Sequence, residues 1–442
     1  MRHRTRRATI AAAVATVLVA GLGVPSAQAN APEWTLTKKA NSRNGSDPSV
    51  EYCHIGNRPH MCMYTSSDLD KGDLNVYPMD TTYLYTLDMG VDGEGNQLNL
   101  DPGDPDNWFD HGAVLNESKD YGDWVGAGTE HLWAPSMAYG PDAKTVYLYV
   151  PDTNTQRYTT LTIGGVEYEL NYSNIGVSVA SSPAGPFTYL QRITYRGSKI
   201  EDIYMSDPRV VTFGFSHPGD ITPDHDDDEV LASRQGGTAT WLLWANGVWH
   251  NTERCGGISI GLLDETSMTR LYTNPARSAS EIQINGLEQF GKCNDASTGP
   301  YIEGPELYDL ASVGVPLPGG NGRFMLVFSL KPADDNRNQV IAYATAPTPL
   351  GPYTYRGILM DGSNDSWTNQ GSVWADSRAA VTKDNPLGLR FILFYHDDNP
   401  GNRHNRKVYA TCLTYDLSER RFLTAQRPTS QPNLNDCVGT RP

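Results

Sequence analysis

Beyond residue 31 the chain alternates short apolar runs with polar turns. Met61 to Ser66, Val146 to Val150, Ile175 to Ala180, Trp241 to Trp244, Gly257 to Leu262, Phe324 to Leu330, Val340 to Ala344, Phe391 to Tyr395 and Val408 to Tyr415 are each rich in β-branched or aromatic residues. Each is bounded by Gly, Pro, Asn or Asp, which predicts strands. No segment beyond residue 31 holds an amphipathic helical period over three turns, so the expected class is all-β. An internal echo narrows the architecture. Val179-Ala180-Ser181-Ser182-Pro183-Ala184-Gly185-Pro186-Phe187-Thr188-Tyr189 matches Tyr343-Ala344-Thr345-Ala346-Pro347-Thr348-Pro349-Leu350-Gly351-Pro352-Tyr353-Thr354-Tyr355 in its order of strand, small-residue turn, Gly-Pro-aromatic and strand. Repetition of one strand-turn-strand unit predicts a β-propeller, with two β-sandwich domains as the alternative. In a propeller, polar groups far apart in sequence can meet in one funnel.

The N-terminus follows a different pattern. Arg2, Arg4, Arg6 and Arg7 precede a largely apolar run from Ala8 to Val24, and the small-residue segment Ser26-Ala27-Gln28-Ala29-Asn30-Ala31 follows. That order predicts a cleaved signal peptide over residues 1–31, by the general or the twin-arginine route, and hence a secreted, extracellular protein. The run is short and rich in Ala and Gly, and no later stretch approaches the roughly 20 apolar residues of a membrane span. Composition shows no linker or shift beyond it. Residues 32–442 are therefore expected to form one domain, acting as a monomer.

The formal net charge of −16 becomes more negative once four arginines and no acids are removed with the signal. Such acidity argues against a nucleic-acid partner, whose phosphates need a basic surface, and suits neutral or cationic material. Six cysteines, Cys53, Cys62, Cys255, Cys293, Cys412 and Cys437, suit an oxidising compartment, and pairing between neighbours along the chain is the economical scheme. None has the spacing of a zinc site.

Three acids stand in restrained contexts. Asp47 lies in Gly45-Ser46-Asp47-Pro48-Ser49-Val50, Asp207 in Met205-Ser206-Asp207-Pro208-Arg209-Val210, and Glu303 in Tyr301-Ile302-Glu303-Gly304-Pro305-Glu306-Leu307. A proline directly after the acid, or one glycine further on, limits the backbone and fixes where the carboxylate points. A single Asp-Pro is usually a turn. Three together carry more weight.

In their order along the chain these segments resemble glycoside hydrolase family 43. The resemblance runs through Ser46-Asp47-Pro48-Ser49-Val50, Met63-Tyr64-Thr65-Ser66-Ser67-Asp68-Leu69, Trp108-Phe109-Asp110-His111-Gly112-Ala113-Val114-Leu115, Leu132-Trp133-Ala134-Pro135-Ser136, Ser206-Asp207-Pro208, Glu303-Gly304-Pro305 and Tyr395-His396. It implies a five-bladed β-propeller that cleaves arabinose-, xylose- or galactose-containing polysaccharides with inversion. It also implies Asp47 as general base, Glu303 as general acid and Asp207 as the carboxylate that tunes that acid. Inversion needs a carboxylate to activate water and a protonated carboxyl for the leaving oxygen, roughly 6.5 to 9.5 Å apart. An anion beside the acid keeps its proton available. Trp133 reads equally as a platform for a sugar face or as a core aromatic. Arg406, with Arg403 as neighbour and competitor, is the arginine expected to reach the sugar or the acid. Trp108, Trp367 and Trp374 are expected to be structural.

The clearest departure is Gln370, at a position where the family often has a histidine near a calcium or other ion. A glutamine coordinates only weakly, so a structural calcium is left open while no cofactor is required for the three carboxylates to act. The acidic run Asp224-His225-Asp226-Asp227-Asp228-Glu229 lacks the spacing of an EF-hand and reads as a solvated loop. The stretch from Phe213 to Gly299 around it, with Cys255 and Cys293, reads as enlarged loops that would shape a pocket mouth. The leading expectation is a secreted enzyme acting on polysaccharide or oligosaccharide from hemicellulose or arabinan, with α-L-arabinofuranosidase first. A β-xylosidase or galactan-acting hydrolase, a retaining enzyme of related fold, and a non-catalytic carbohydrate-binding propeller are the alternatives.

Overall fold

The computed structural model describes residues 35–36, 45–68, 79–117, 132–163, 166–200, 204–214, 237–246, 256–272, 281–291, 299–317, 322–332, 338–362, 368–399 and 402–442. Side chains at 152–172, 199, 398–399 and 402–405 fall outside the description. Five antiparallel meanders follow one another along the chain. The first is β1 (Gly45–Ile55), β2 (Arg58–Ser67), β3 (Thr81–Asp88) and β4 (Trp108–Asn116). The second is β5 (Ser136–Tyr139), β6 (Val146–Ile163), β7 (Val166–Ala180) and β8 (Thr188–Arg192), followed by the two-residue strands β9 (Thr194–Tyr195) and β10 (Ser198–Lys199). The third is β11 (Ser206–Gly214), β12 (Thr238–Ala245) and β13 (Ile258–Leu262), after which β14 (Arg270–Leu271) pairs in parallel with β9. In the fourth, β16 (Tyr301–Asp309), β17 (Phe324–Lys331), β18 (Val340–Ala346) and β19 (Tyr353–Met360) are edged by β15 (Ile284–Asn285). The fifth is β20 (Gly371–Asp376), β21 (Arg390–Asn399) and β22 (Asn402–Leu413); β23 (Tyr415–Asp416), β24 (Arg421–Phe422) and β25 (Thr440–Arg441) form a small terminal sheet.

The middle strands are apolar on both faces because each sheet is packed on both sides. Along β17, Met325 and Val327 join a core with Ile341, Phe391, Leu393, Met61 and Met63, which belong to the fourth, fifth and first sheets. Phe324, Leu326, Phe328 and Leu330 point the other way, onto Trp241, Leu243 and Ile260 of the third sheet. Tyr64 and Leu84 of the first sheet pack with Val146 and Leu148 of the second, and Tyr149 and Val177 of the second pack with Leu242 and Trp244 of the third. Every neighbouring pair, the fifth and first included, thus shares apolar surface, which is the main driving term in holding them. The first strands touch in the same cyclic order, β1 on β5, β5 on β11, β11 on β16, β16 on β20 and β20 on β1. Thr35 Oγ1 and the Leu36 amide both donate to the Val408 carbonyl on the outer strand of the fifth sheet, each at 3.0 Å.

The predicted all-β class holds for the described residues, whose helical elements are short 3₁₀ turns such as Pro105–Asn107 and Leu310–Val313. No described helix is long and apolar enough to cross a membrane. The two copies of the echo are the outer hairpins of the second and fourth sheets, each with a cis Gly-Pro bond and a buried aromatic, Phe187 or Tyr353. The expected strand from Val408 to Tyr415 is interrupted at Thr414, because the chain turns there from the fifth sheet into the terminal one. The stretch from Phe213 to Gly299 holds β12 to β15, so sheet strands as well as loops account for its length. Cys53–Cys62 and Cys412–Cys437 are disulfides as expected. Cys255, Cys293, Trp367 and the acidic run 224–229 lie outside the described residues. Trp108 is buried and its indole donates to the Pro102 carbonyl at 2.9 Å, a structural role.

Candidate active site

The three acids lie near the starts of three first strands, and each strand departs from regular pairing there. Register shifts fall between Ser46 and Ser49 in β1, between Ser206 and Arg209 in β11, and between Glu303 and Glu306 in β16. Proline explains the break, since it cannot donate to the ladder. Asp47 and Asp207 adopt left-handed backbone at φ 49° and 48°, and Gly304 does so at 59°. Non-glycine residues there are costly, and aspartate is among the few that tolerate it. The same bulge, used three times, brings carboxylates from the first, third and fourth sheets to one end of the ring.

Asp47 is buried beside two basic side chains. Arg406 Nη1 lies 3.8 Å and His396 Nδ1 3.3 Å from Asp47 Oδ1, and Ser46 donates to Oδ2 at 3.3 Å. Burial by itself would raise the pKa, but the Arg406 charge, aided by His396 and Ser46, outweighs it and holds the carboxyl at about 2. The Asp47 amide donates to His396 Nδ1 at 2.9 Å, and Nε2 faces Thr368 Oγ1 at 3.2 Å. Arg406 is itself buried and held by buried Asp68, with Nε to Oδ2 at 3.1 Å, Nη2 to Oδ1 at 3.2 Å and its own amide to Oδ2 at 2.8 Å. Of the three acids, the one Arg406 pairs with is Asp47. The side chain of Arg403 is outside the description.

The other two carboxyls are pushed the opposite way. Asp207 accepts from Ser206 at 3.1 Å and from the Gly304 amide at 3.2 Å, yet burial, then repulsion from Glu303 and Asp47, raises it well above the usual range. Burial likewise raises Glu303, with Asp47 adding repulsion, although Tyr301 and Gln339 donate to its two oxygens and pull it down. Gln339 Nε2 is 2.5 Å from Glu303 Oε1, and its Oε1 accepts from the Asn369 amide at 2.9 Å. Both buried carboxyls therefore hold their protons more tightly than free ones do.

Trp133 is half-buried on a segment fastened next to Asp47. Leu132 donates to the Met79 carbonyl at 2.8 Å and Ala134 to Ser66 Oγ at 2.9 Å, while Ser66 is the register partner of Ser46. Gln370 accepts the His396 amide at 3.2 Å, and its side chain lies against Gly304, where a Cβ would meet its Nε2 at 2.3 Å. Its Oε1 is buried without a hydrogen-bond partner. Among the described residues there is no cluster of three or more His, Cys, Asp or Glu able to hold a metal. One neutral oxygen does not compete with the hydration of a divalent cation, so the residues at Gln370 do not fit an ion.

His396, Tyr301, Gln339 and Asp68 were given no role by sequence. Tyr301 could have been found, because residues two apart on a strand share a face and Glu303 is two further on. Gln339 and Asp68 carry no such local signal, since they reach the site from other strands.

Neither a protein-family model nor a curated protein matches the chain. Solved structures do. A GH43_1 enzyme from Xanthomonas citri is 21% identical with a TM-score of 0.55, over 90% of this chain and 95% of that one. A family 43 β-xylosidase/α-arabinofuranosidase from a compost microbial metagenome, in a calcium-free complex with xylotriose, is 21% identical with a TM-score of 0.53, over 88% and 96%. RS223 β-xylosidase is 19% identical with a TM-score of 0.52, over 89% and 98%. Few residues are shared and nearly the whole length is, so what the comparison establishes is architecture: the chain has the fold of the family 43 glycoside hydrolases.

Proposed function

We propose that this protein is a glycoside hydrolase acting on arabinose- or xylose-containing plant polysaccharides, built as a five-bladed β-propeller over residues 32–442 and exported by a signal peptide over residues 1–31. The observation that carries the reading is the opposed tuning of three buried carboxyls at one end of the ring. Asp47 is held at about 2 while burial and mutual repulsion raise Glu303 and Asp207. A buried acid that holds its proton tightly, beside a base held ionised, is the pair that inversion requires.

In this mechanism Asp47 takes a proton from water as the water attacks the anomeric carbon, and Glu303 gives its proton to the departing oxygen. Arg406 keeps the base ionised, His396 orients it by accepting the Asp47 amide N–H, and Asp207 favours the protonated form of Glu303 through their mutual repulsion. Trp133 is assigned the flat apolar face that packs on the sugar. No metal enters any step. An α-L-arabinofuranoside is the first substrate. A β-D-xyloside is the second, favoured by the names of the similar structures.

The test is release of 4-nitrophenol from a panel of aryl arabinofuranosides, xylosides and galactosides, with proton NMR of the first-formed anomer. Inversion on a pentoside supports the reading. Retention would reassign Asp47 as nucleophile, and no release from any glycoside or from arabinoxylan, arabinan, xylan or galactan would favour a sugar-binding propeller.

A further inference from the structure

Pairing resumes after the three bulges at Ser49 in β1, Arg209 in β11 and Glu306 in β16. These three side chains meet. Arg209 is buried, donates from Nη1 to Ser49 Oγ at 3.0 Å and to Glu51, and forms an ion pair with Glu306, its Nε lying 3.0 Å from Oε2 but out of line for a hydrogen bond. The contact extends to β20, because Tyr308 donates to Glu306 at 3.0 Å and accepts from the Val373 amide at 2.6 Å, while Ser372 Oγ accepts from the Val50 amide at 3.2 Å. Ser136 on β5 accepts from the Val210 amide at 3.0 Å. A polar ring thus ties all five first strands a few residues from the acids, roughly 7 to 13 Å along the strands at 3.3 Å per residue.

On its far side the first strands line a cavity of about 810 Å³, walled by Met137, Val211, Phe213, Leu307 and Trp374 with Glu51 and Arg209 also exposed to it. Apolar packing across the channel therefore does not set their spacing there. One guanidinium faces two carboxyls, and burial, with repulsion from Glu306, lifts Glu51 to about 8 against the opposing pull of Arg209. Such an arrangement is a poor source of stability, since an apolar replacement of buried ion pairs is often neutral or better. Its use is geometric.

We propose that Arg209 is a positioning residue: by bridging Ser49, Glu51 and Glu306 it locks the three bulges that aim Asp47, Asp207 and Glu303, and so fixes the separation between base and acid. Its catalytic consequence rests on the hydrolase reading; the locking does not. Lysine is a single point of charge and cannot span both carboxyls as the planar fork does.

The test compares the wild type with Arg209→Lys and with the charge-free Glu51→Gln/Arg209→Met/Glu306→Gln variant, which leaves no charge of this cluster buried and unpaired. Crystal structures of wild type and triple variant give the Asp47-to-Glu303 carboxyl separation, and kinetics on the best aryl glycoside give kcat and KM. Expected is a cooperatively melting triple variant whose separation moves by about half an ångström or more, with kcat down roughly 10- to 100-fold and KM within about twofold. Arg209→Lys falls between. A folded triple variant with unchanged separation and kcat overturns the proposal. If the wild type hydrolyses no glycoside, the hydrolase reading fails, and the carboxyl separation alone decides whether Arg209 locks the bulges.

Discussion

Alanine at Asp47 or Glu303 is expected to lower kcat roughly 10²- to 10⁴-fold, the usual worth of a general base or acid, with the melting temperature little changed. Full turnover in either folded variant would remove the assignment. Two further substitutions shift the same proton in opposite directions. Asp207→Asn removes the carboxyl whose mutual repulsion with Glu303 raises the pair, so the alkaline limb of kcat moves down. Tyr301→Phe removes a hydrogen bond that favours the ionised acid, so that limb moves up. Movement of both limbs in one direction would show that Glu303 is not the group being read. At this scale sequence was informative about residue type and order, because Asp-Pro and Glu-Gly-Pro are local signals. It was silent on Gln339, which reaches Glu303 from the start of β18, and on Asp68, which reaches Arg406 from the end of β2.

The bulge is the element on which the site depends, and Gly304 is where it is most exposed to change. At φ +59° a Cβ would stand 2.3 to 2.8 Å from Nε2, Cγ and Cδ of Gln370, so the stem of that side chain, and not only its tip, has to move. Gly304→Ala is expected to cost about 1 to 2 kcal/mol from the left-handed backbone alone and to reduce kcat by displacing Glu303. Adding Gln370→Ala should recover the steric part and leave the backbone part, which urea unfolding of the two variants resolves; equal stability of single and double variants would mean that Gln370 does not constrain the bulge. Elements were legible where they are apolar. β12, β17, β18 and β21 were found because both of their faces meet other sheets. The first strands β1, β11 and β16 were not, because they line a channel with Ser, Asp, Glu and Arg, and their prolines read as turns. The long hairpin of β6 and β7 was seen only at its base, since beyond Val150 the sequence turns to Thr, Asn and Tyr without an apolar run.

For the whole molecule, the buried carboxyls set how stability varies with pH. Glu51, Asp207, Glu303 and Glu306 all have folded-state pKa values raised by burial, Glu51 to about 8. Between about pH 4.5 and 8 the folded chain keeps protons that the unfolded chain has released, so stability falls as pH rises through that window. Asp47 works in reverse. Held at about 2, it contributes stability that is present above its unfolded value and lost as pH falls through 2. Asp376 is also lowered: burial opposes the shift, but hydrogen bonds and charge from Arg378, with Arg390, outweigh it. The raised set favours the acid side of neutral and the lowered set fixes its limit at strongly acid pH. Urea unfolding at pH 5 and pH 8 is expected to give the larger free energy at pH 5, and Glu51→Gln should flatten the difference because its amide has no proton to keep. A protein more stable at pH 8 than at pH 5 would show that these carboxyls are ionised in the folded state. That result would remove the protonated acid from the site and leave two anions facing the single cation of Arg209.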